Sequence, residues 1–309
     1  MEIPRLITIL GPTAVGKTRL AALLANALDG EIISADSRQV YRGMTVGTGK
    51  DLDDYVVEGK NIPFHLIDVA NPDEEYNVFR FKQMFIETAS EILKRNRPLI
   101  MCGGTGLYLD SILRNYDFVD APKNPQLRKE LEKQTDEELA AFLTSVKKVH
   151  NKTDLLIRER LLRAIEIYDF QSKSESSTNQ IHVADSRVFG VMLPRDQVRE
   201  RIAVRLNSRI EEGMSDEVRS LLDSGVSVDR LLAFGLEYRY VTLHLLGRLS
   251  MDEMQEKLCT AIQQFAKRQM SWFRRMERLG VKIEWIDGTL SQESRLLVIL
   301  EKLKNKKSP

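Results

Sequence analysis

Cysteine is nearly absent from this chain, with two in 309 residues. That scarcity excludes a disulfide framework or a cysteine-rich zinc site, and it fits a reducing compartment. Long apolar runs are missing too. The longest are a handful of residues, against roughly 20 for a membrane span, so no membrane insertion is expected. Neither sign of charge prevails: forty-six Lys and Arg stand against forty-five Asp and Glu, a net charge of +1. Any nucleic-acid binding must therefore come from local clustering and not from a global field. The four histidines, His65, His150, His182 and His244, are scattered and suggest no ligand set. Met1–Arg5 leads straight into a strand-like run without a basic n-region, so no secretory signal is expected. What is present, 42% hydrophobic and 29% charged residues, describes a globular chain with ample core and one or two domains. A cytoplasmic location is the expectation.

The first third alternates two patterns. Arg5–Leu10, Glu31–Ser34, Phe64–Val69 and Pro98–Met101 read as strands, and Thr18–Leu28 and Val78–Asn96 read as helices. Strands alternating with helices of this length predict a parallel sheet with crossover helices. From Pro122 to Phe170 the periodicity is helical throughout, with the best helices at Lys129–Val146 and Leu155–Phe170. The polar, Ser-rich Gln171–Asn179 reads as a loop or hinge. Arg187–Leu193 returns to strand character. Helical patterns follow at Asp196–Glu212, Met214–Ser224, Leu236–Leu246 and Met251 to about Leu279, before a last short strand at Lys282–Ile286.

Gly11-Pro-Thr-Ala-Val-Gly-Lys-Thr18 matches G-x-x-x-x-G-K-[ST] without a mismatch, directly after one strand and before a helix. Such a loop turns its backbone N–H groups inward onto phosphate oxygens. The helix N-terminus favours the anion, Lys17 adds a point charge, and the Thr18 hydroxyl suits Mg²⁺. The fold class predicted is thus α/β, a P-loop NTPase-like parallel sheet core with an inserted helical domain. Residues 1–120 form its first part, 121–185 the insertion, and 186–309 the second part, ending in a basic helix. The motif establishes polyphosphate binding and leaves the chemistry open. A kinase or ATPase would need a strand-end acid for Mg²⁺; Asp36 and Asp68 both qualify, and Asp68 reads better as a residue capping the turn after its strand.

Ile33-Ser-Ala-Asp-Ser-Arg-Gln-Val-Tyr-Arg-Gly-Met44 brings a carboxylate and two guanidiniums onto one post-strand loop, and Gly103-Gly-Thr-Gly106 follows another strand. Loops after parallel strands gather at the carboxyl edge of the sheet, where the P-loop also lies. Asp36 and Thr105 are therefore expected beside whatever the P-loop holds. Between Lys257 and Lys282 stand seven Lys and Arg (Lys257, Lys267, Arg268, Arg274, Arg275, Arg278, Lys282) against one acid, Glu277. Trp272 and Phe273 interleave with them, which suits phosphate contacts plus aromatic packing or stacking, while Trp272 and Phe265 read as core residues on one helical face that leaves the cations outward.

ISADSRQVYRGM, HLIDVANPDEEYNV and CGGTGLYL behind GPTAVGKT, with RLLRAIEIY, PRDQVRERIAVRLNSRIEEGM and FAKRQMSWFRR later, resemble the bacterial tRNA dimethylallyltransferase (tRNA isopentenyltransferase) family over nearly the whole chain. The resemblance implies transfer of a dimethylallyl group from its diphosphate to the exocyclic amine of the adenosine 3′ to a tRNA anticodon. It implies that Gly11, Thr13, Ala14, Val15, Gly16, Lys17 and Thr18 hold the donor diphosphate, with Mg²⁺ as cofactor on Thr18 and Arg205 as a further ligand. By the same resemblance Asp36 is the general base and Thr105 fixes the target base, with Ser37, Arg38 and Gln39 on the tRNA beside them. Arg128 and the run Glu159, Arg160, Leu161, Leu162 and Arg163 fall where the family's insertion grips the anticodon stem-loop. A monomer would suffice.

Three segments depart from the family pattern. Ile262-Gln263 replaces a usual Thr-Arg, Phe234-Gly-Leu-Glu-Tyr238 replaces a Gly-Tyr-Lys-Glu segment, and the Ser-rich loop replaces a Thr-Gly. Two other readings of the residues stay open at this stage. One is a small-molecule or nucleotide kinase, and the other a non-catalytic P-loop protein that binds RNA.

Overall fold

A computed structural model describes residues 1–116, 121–146, 155–173 and 181–305. Its main sheet has six strands: β1 (Leu6–Leu10), β2 (Glu31–Ser34), β3 (Phe64–His65), β4 (Leu99–Gly103), β5 (Ser186–Met192) and β6 (Ile283–Asp287), in the order β6-β5-β1-β4-β2-β3. Every pairing in this sheet is parallel. The central strands read LITIL and LIMCG and are buried along their whole length. An unbroken apolar run, without alternation, is what a strand covered on both faces requires.

The helices follow in chain order. They are α1 (Lys17–Leu28), α2 (Val78–Lys94), α3 (Gly106–Leu113), α4 (Pro125–Leu131), α5 (Asp136–Val146) and α6 (Arg158–Lys173), then α7 (Arg195–Glu211), α8 (Met214–Asp223), α9 (Val228–Phe234), α10 (Leu236–Leu245), α11 (Met251–Arg278) and α12 (Gln292–Lys304). One face of the sheet is covered by a core that includes Phe81, Phe85, Tyr108, Tyr238 and Phe273. The other is covered by Leu20, Leu24, Phe189 and Ile299, from α1, β5 and α12. The 28-residue α11 starts on a capping box in which Ser250 and Glu253 satisfy each other's backbone N–H groups.

The chain divides into two units, Met1–Tyr116 with Ile181–Pro309, and Asp117–Gln180. The second has its own small core of Leu131, Leu139, Leu143, Leu161, Leu162 and Ile165. Its far boundary falls before the expected residue 185. Glu2 and Ile3 pair in parallel with His182 and Val183, and the Ile181 N–H donates to Asn115 Oδ1 at 3.1 Å; both contacts tie this stretch to the first unit.

Other expectations need correction. The predicted strand Phe64–Val69 stops at His65, because Leu66 and Asp68 adopt positive φ of 62° and 54° and turn the chain away. The predicted helix Lys129–Val146 is two helices. Thr135 restarts the second: its Oγ1 accepts from the Glu138 N–H at 3.2 Å while Glu138 accepts from the Thr135 N–H at 2.8 Å, a T-x-x-E signal legible in the sequence. Gln171–Lys173 continue α6 and are not loop; the rest of the Ser-rich stretch lies outside the described residues. Helices α9 and α12 were not anticipated.

At the opposite edge of the sheet from the P-loop, the buried Glu31 accepts two bonds from Arg95, at 2.9 and 2.7 Å, and one contact from His65 Nε2 at 2.7 Å. Burial pushes its carboxyl up, but the bonds from Arg95 and His65 outweigh that and hold it below the usual range. A carboxyl depressed by folding contributes stability above its unfolded pKa and loses it as pH falls through the folded one. Glu31→Gln is therefore expected to cost about 2 kcal/mol at pH 7 and to shrink the stability difference between pH 7 and pH 3, measured by urea unfolding. An unchanged acid limb would refute it.

Candidate active site

Three loops meet at the carboxyl edge of the sheet. The first follows β1 and is the phosphate loop itself. Ala14 and Gly16 take positive φ of 64° and 77°, and a Cβ on Gly16 would stand 2.6 Å from Gln292 Nε2. Helix α1 opens at Gly16 with no side-chain cap and no acid in its first turn. Its first N–H groups and dipole are left for an anion. Lys17 Nζ donates to the Pro12 carbonyl at 3.3 Å. Burial lowers the Lys17 pKa from the ordinary lysine value, and the negative charge of Asp36 partly offsets this.

The second loop follows β2. Asp36 Oδ1 accepts the Arg38 N–H at 3.0 Å, which fixes the carboxylate. The Arg38 guanidinium pairs with Glu237 and donates to the Gly47 carbonyl at 3.1 Å. Gln39 Nε2 donates to the Gly49 carbonyl at 3.0 Å. The third loop follows β4. Thr105 Oγ1 accepts the Ser37 N–H at 2.9 Å and lies 3.2 Å from Ser37 Oγ, while the Thr105 N–H donates to the Ala35 carbonyl at 3.2 Å. Asp36 and Thr105 are thus held by one short network.

These loops border a cavity of about 270 Å³. Thr13, Ala14, Gly16, Lys17 and Thr18 line it, together with Asp36, Arg38, Gln39 and Arg205. Gly11 and Val15 do not: Gly11 lies against the Val191 backbone and the Val15 side chain is buried in the core. Ser37 and Thr105 stand beside the cavity and do not line it. Asp68 is absent from the lining, and its carboxylate pairs with the buried Lys50. It closes a turn, so of the two strand-end acids only Asp36 faces the phosphate loop.

Other functional positions went unnoticed in the sequence. Gln269 of α11 is buried and ties two loops together, its Oε1 accepting the Thr13 N–H at 2.9 Å and its Nε2 donating to the Gly104 carbonyl at 2.9 Å. Its signal was a polar residue on the apolar face of a helix. Ile202, Leu206, Ile262 and Phe265 give one wall of the cavity an apolar surface. Phe265 therefore lines the cavity, a correction to its assignment as core. Trp272 is half-buried against Gly106, and Phe273 is the aromatic fully in the core. Six of the seven cations on and after α11 are exposed; Arg275 is half-buried, 3.7 Å from the buried Asp110.

Glu217 of α8 is a further support. Its carboxylate accepts the N–H groups of Thr45, Val46 and Gly47 at 2.6, 2.7 and 2.9 Å, and the Tyr238 hydroxyl at 2.8 Å. It fills a nest of consecutive N–H groups on the loop whose carbonyls anchor Arg38 and Gln39. Glu217→Ala is expected to cost about 2–4 kcal/mol, read as a lower thermal midpoint. A midpoint within a degree of the parent would show that water replaces the carboxylate.

The remaining expected positions lie in the second unit. Arg128 bonds to Glu166 at 2.8 and 3.0 Å and to Glu159 at 2.7 Å. These bonds hold its guanidinium above the ordinary arginine range. Arg163 donates to the Ala121 carbonyl at 2.6 Å and to Glu166 at 3.3 Å. Leu161 and Leu162 correct an expectation: both side chains are buried in the small core, because they fall on the apolar stripe of α6 shared with Ile165. They hold the helix and offer no side-chain surface, while Glu159 and Arg160 fall on its other side.

Comparison with known proteins agrees with the resemblance seen in the sequence. The profile of the IPP transferase family matches residues 39–276. The tRNA dimethylallyltransferase 1 of Parabacteroides distasonis is 48% identical over 305 residues, covering 99% of both chains. That of Syntrophus aciditrophicus is 52% identical over 285 residues, covering 92% of this chain and 93% of its own. Among solved structures, a tRNA isopentenylpyrophosphate transferase from Staphylococcus epidermidis superposes with a TM-score of 0.69 at 31% identity, over 97% of this chain and 99% of its own. With that fold, these loops and this likeness along its whole length, the chain belongs to the IPP transferase family.

Proposed function

We propose that this protein is a tRNA prenyltransferase that moves a dimethylallyl group from dimethylallyl diphosphate to the exocyclic amine of the adenosine 3′ to the anticodon, releasing diphosphate. The observation that carries the reading is the convergence of Asp36 and the phosphate loop on one cavity, with Thr105 locked to the Asp36 loop through Ser37. The amine nitrogen attacks the allylic carbon, the carbon–oxygen bond breaks toward the diphosphate, and the proton leaves the nitrogen for Asp36. An adenine amine is a weak nucleophile because its lone pair is delocalised, so a positioned carboxylate is what the step needs. The P-loop N–H groups and Lys17 hold the departing charge. The apolar wall of Ile262, Phe265 and Leu206 suits the dimethylallyl tail and keeps water from the carbon.

The target base must leave its stack to reach Asp36. Thr105 and Ser37, beside the cavity, are the groups placed to meet it, so donor and base would approach Asp36 from different sides. The exposed cations of α11 suit tRNA phosphates; Arg128, Glu159, Arg160 and Arg163 of the second unit are assigned to the anticodon stem-loop by family resemblance. The donor set also fits Mg²⁺. Thr18 and Asp36 are hard oxygen donors, and no described group of three or more His, Cys, Asp or Glu could hold a metal alone. Mg²⁺ is satisfied by one or two such ligands completed by phosphate oxygens and water. Thr18 would hold it, and when bound it would neutralise charge on the diphosphate.

No helix among the described residues is long and apolar enough to cross a membrane; a cytoplasmic monomer is the assembly we infer. Incubation of the protein with Mg²⁺, labelled dimethylallyl diphosphate and unmodified tRNA should place label in tRNA adenosine. Phosphate transfer from ATP in a parallel tube, with no label in tRNA, would overturn the reading in favour of a kinase.

A further inference from the structure

The α7 wall of the cavity carries more positive charge than its own partners satisfy. Arg201, Arg205 and Arg209 lie four residues apart on one side of that helix, and all three line the cavity. Arg205 bonds to Asp51 Oδ2 at 2.7 Å. Arg209 is 8% exposed, and its NH2 is buried with no hydrogen-bond partner. The two carboxylates nearest to it are each shared with another arginine and reach it only at ion-pair distance. Glu237, 3.6 Å away, is the ion-pair partner of Arg38, and Asp51, at 4.0 Å, is bonded to Arg205. Burial, reinforced by the charge of Arg205, pushes the Arg209 pKa down to about 10.

Gly49 makes the closeness of the two guanidiniums possible. A Cβ there would lie 1.6 Å from Arg209 NH2 and 2.4 Å from Arg205 NH2, so the two nitrogens are no more than about 4 Å apart. Two cations held this close, one of them desolvated and paired only at 3.6 and 4.0 Å with an NH2 that lacks an acceptor, repel each other in the free protein. An oxyanion between them would relieve the repulsion and supply the missing acceptor. Guanidinium forks match phosphate oxygens bidentately, and a diphosphate carries more charge than the two shared carboxylates leave for them.

We propose that Arg209, with Arg205, forms a second anion-holding fork on the α7 wall of the cavity, whose ligand is a phosphate of the allyl diphosphate and of the inorganic diphosphate it leaves behind. This rests on the reading that the cavity takes such a diphosphate, with the P-loop and Lys17 as its first holder. The fork makes the protein grip the product, so diphosphate release is slowed by Arg209.

The test is calorimetric titration of inorganic diphosphate, with Mg²⁺, into the full chain and its Arg209→Met, Arg209→Lys and Lys17→Ala variants, beside thermal midpoints taken with and without diphosphate. Arg209→Met is expected to weaken diphosphate at least about tenfold. Its midpoint without ligand should stay close to the parent's, because the buried cation removed is held only by long ion pairs of 3.6 and 4.0 Å and its NH2 makes no hydrogen bond. Arg209→Lys should recover only part of the affinity, since an ammonium cannot present the fork. A lower ligand-free midpoint with unchanged diphosphate affinity would show that Arg209 merely balances Glu237, and would overturn the proposal. If Lys17→Ala weakens binding while Arg209→Met does not, the fork is wrong and the cradle stands. If the parent itself binds no diphosphate, the functional reading fails first.

Discussion

Asp36→Asn is expected to lower the rate of dimethylallyl transfer by about 10²- to 10⁴-fold, the usual contribution of a positioned general base. The substitution keeps shape and keeps an oxygen for the Arg38 N–H, so the loop should stay in place. Only the ability to take a proton is lost. Donor affinity should be unchanged or slightly tighter, because a negative charge near the diphosphate and Lys17 has gone. Single-turnover transfer with labelled donor, beside equilibrium binding of the same donor, separates the two effects. Normal turnover would remove Asp36 from the chemistry. Equal losses in binding and turnover would make it a structural partner of the cradle instead.

Lys17→Ala should behave differently, weakening donor binding and slowing transfer together, by about 10²- to 10³-fold in kcat/KM. The lysine is held with its pKa lowered by burial and its Nζ on a P-loop carbonyl. An arriving diphosphate therefore meets a cation already partly stripped of water, and the attraction is stronger for that reason. The folded state should gain a little from the change in the absence of ligand, as a buried charge disappears. A variant that bound diphosphate like the parent would leave the backbone N–H groups as the sole clamp.

Much of this was legible in the sequence because its signals were local. The phosphate loop, with strand and helix on either side, and the post-strand positions of Asp36 and Thr105 follow from parallel-sheet geometry. What was missed depends on contacts between residues far apart in the chain. Gln269 meets Thr13 across 256 residues; its place on the apolar stripe of α11 says that it turns inward but not which loops it meets. Asp68 shares the strand-end position of Asp36, and the turn-capping reading preferred for it agrees with its positive φ, while its partner Lys50 lies eighteen residues away and carries no signal in the sequence. The run Leu161–Leu162 fell inside a segment assigned by resemblance as a whole, and helical periodicity then sorts its members into core and surface. Arg209 has no local signal that sets it apart; the groups against it, Gly49 and Glu237, are far from it in sequence.

The join between the two units is itself informative. Asn115 and Ile181, on either side of the insertion, are hydrogen-bonded to each other within the first unit. Everything between them leaves and returns at a single point. To the sheet, a stretch of more than sixty residues is topologically a loop, and lengthening a loop costs only logarithmically in closure entropy. The small leucine core of the second unit is contiguous in the chain, so it can form before or after the rest. Architecturally the enzyme is modular. The part that lines the phosphate cavity and the part assigned to the nucleic acid by resemblance can therefore change in length and composition independently.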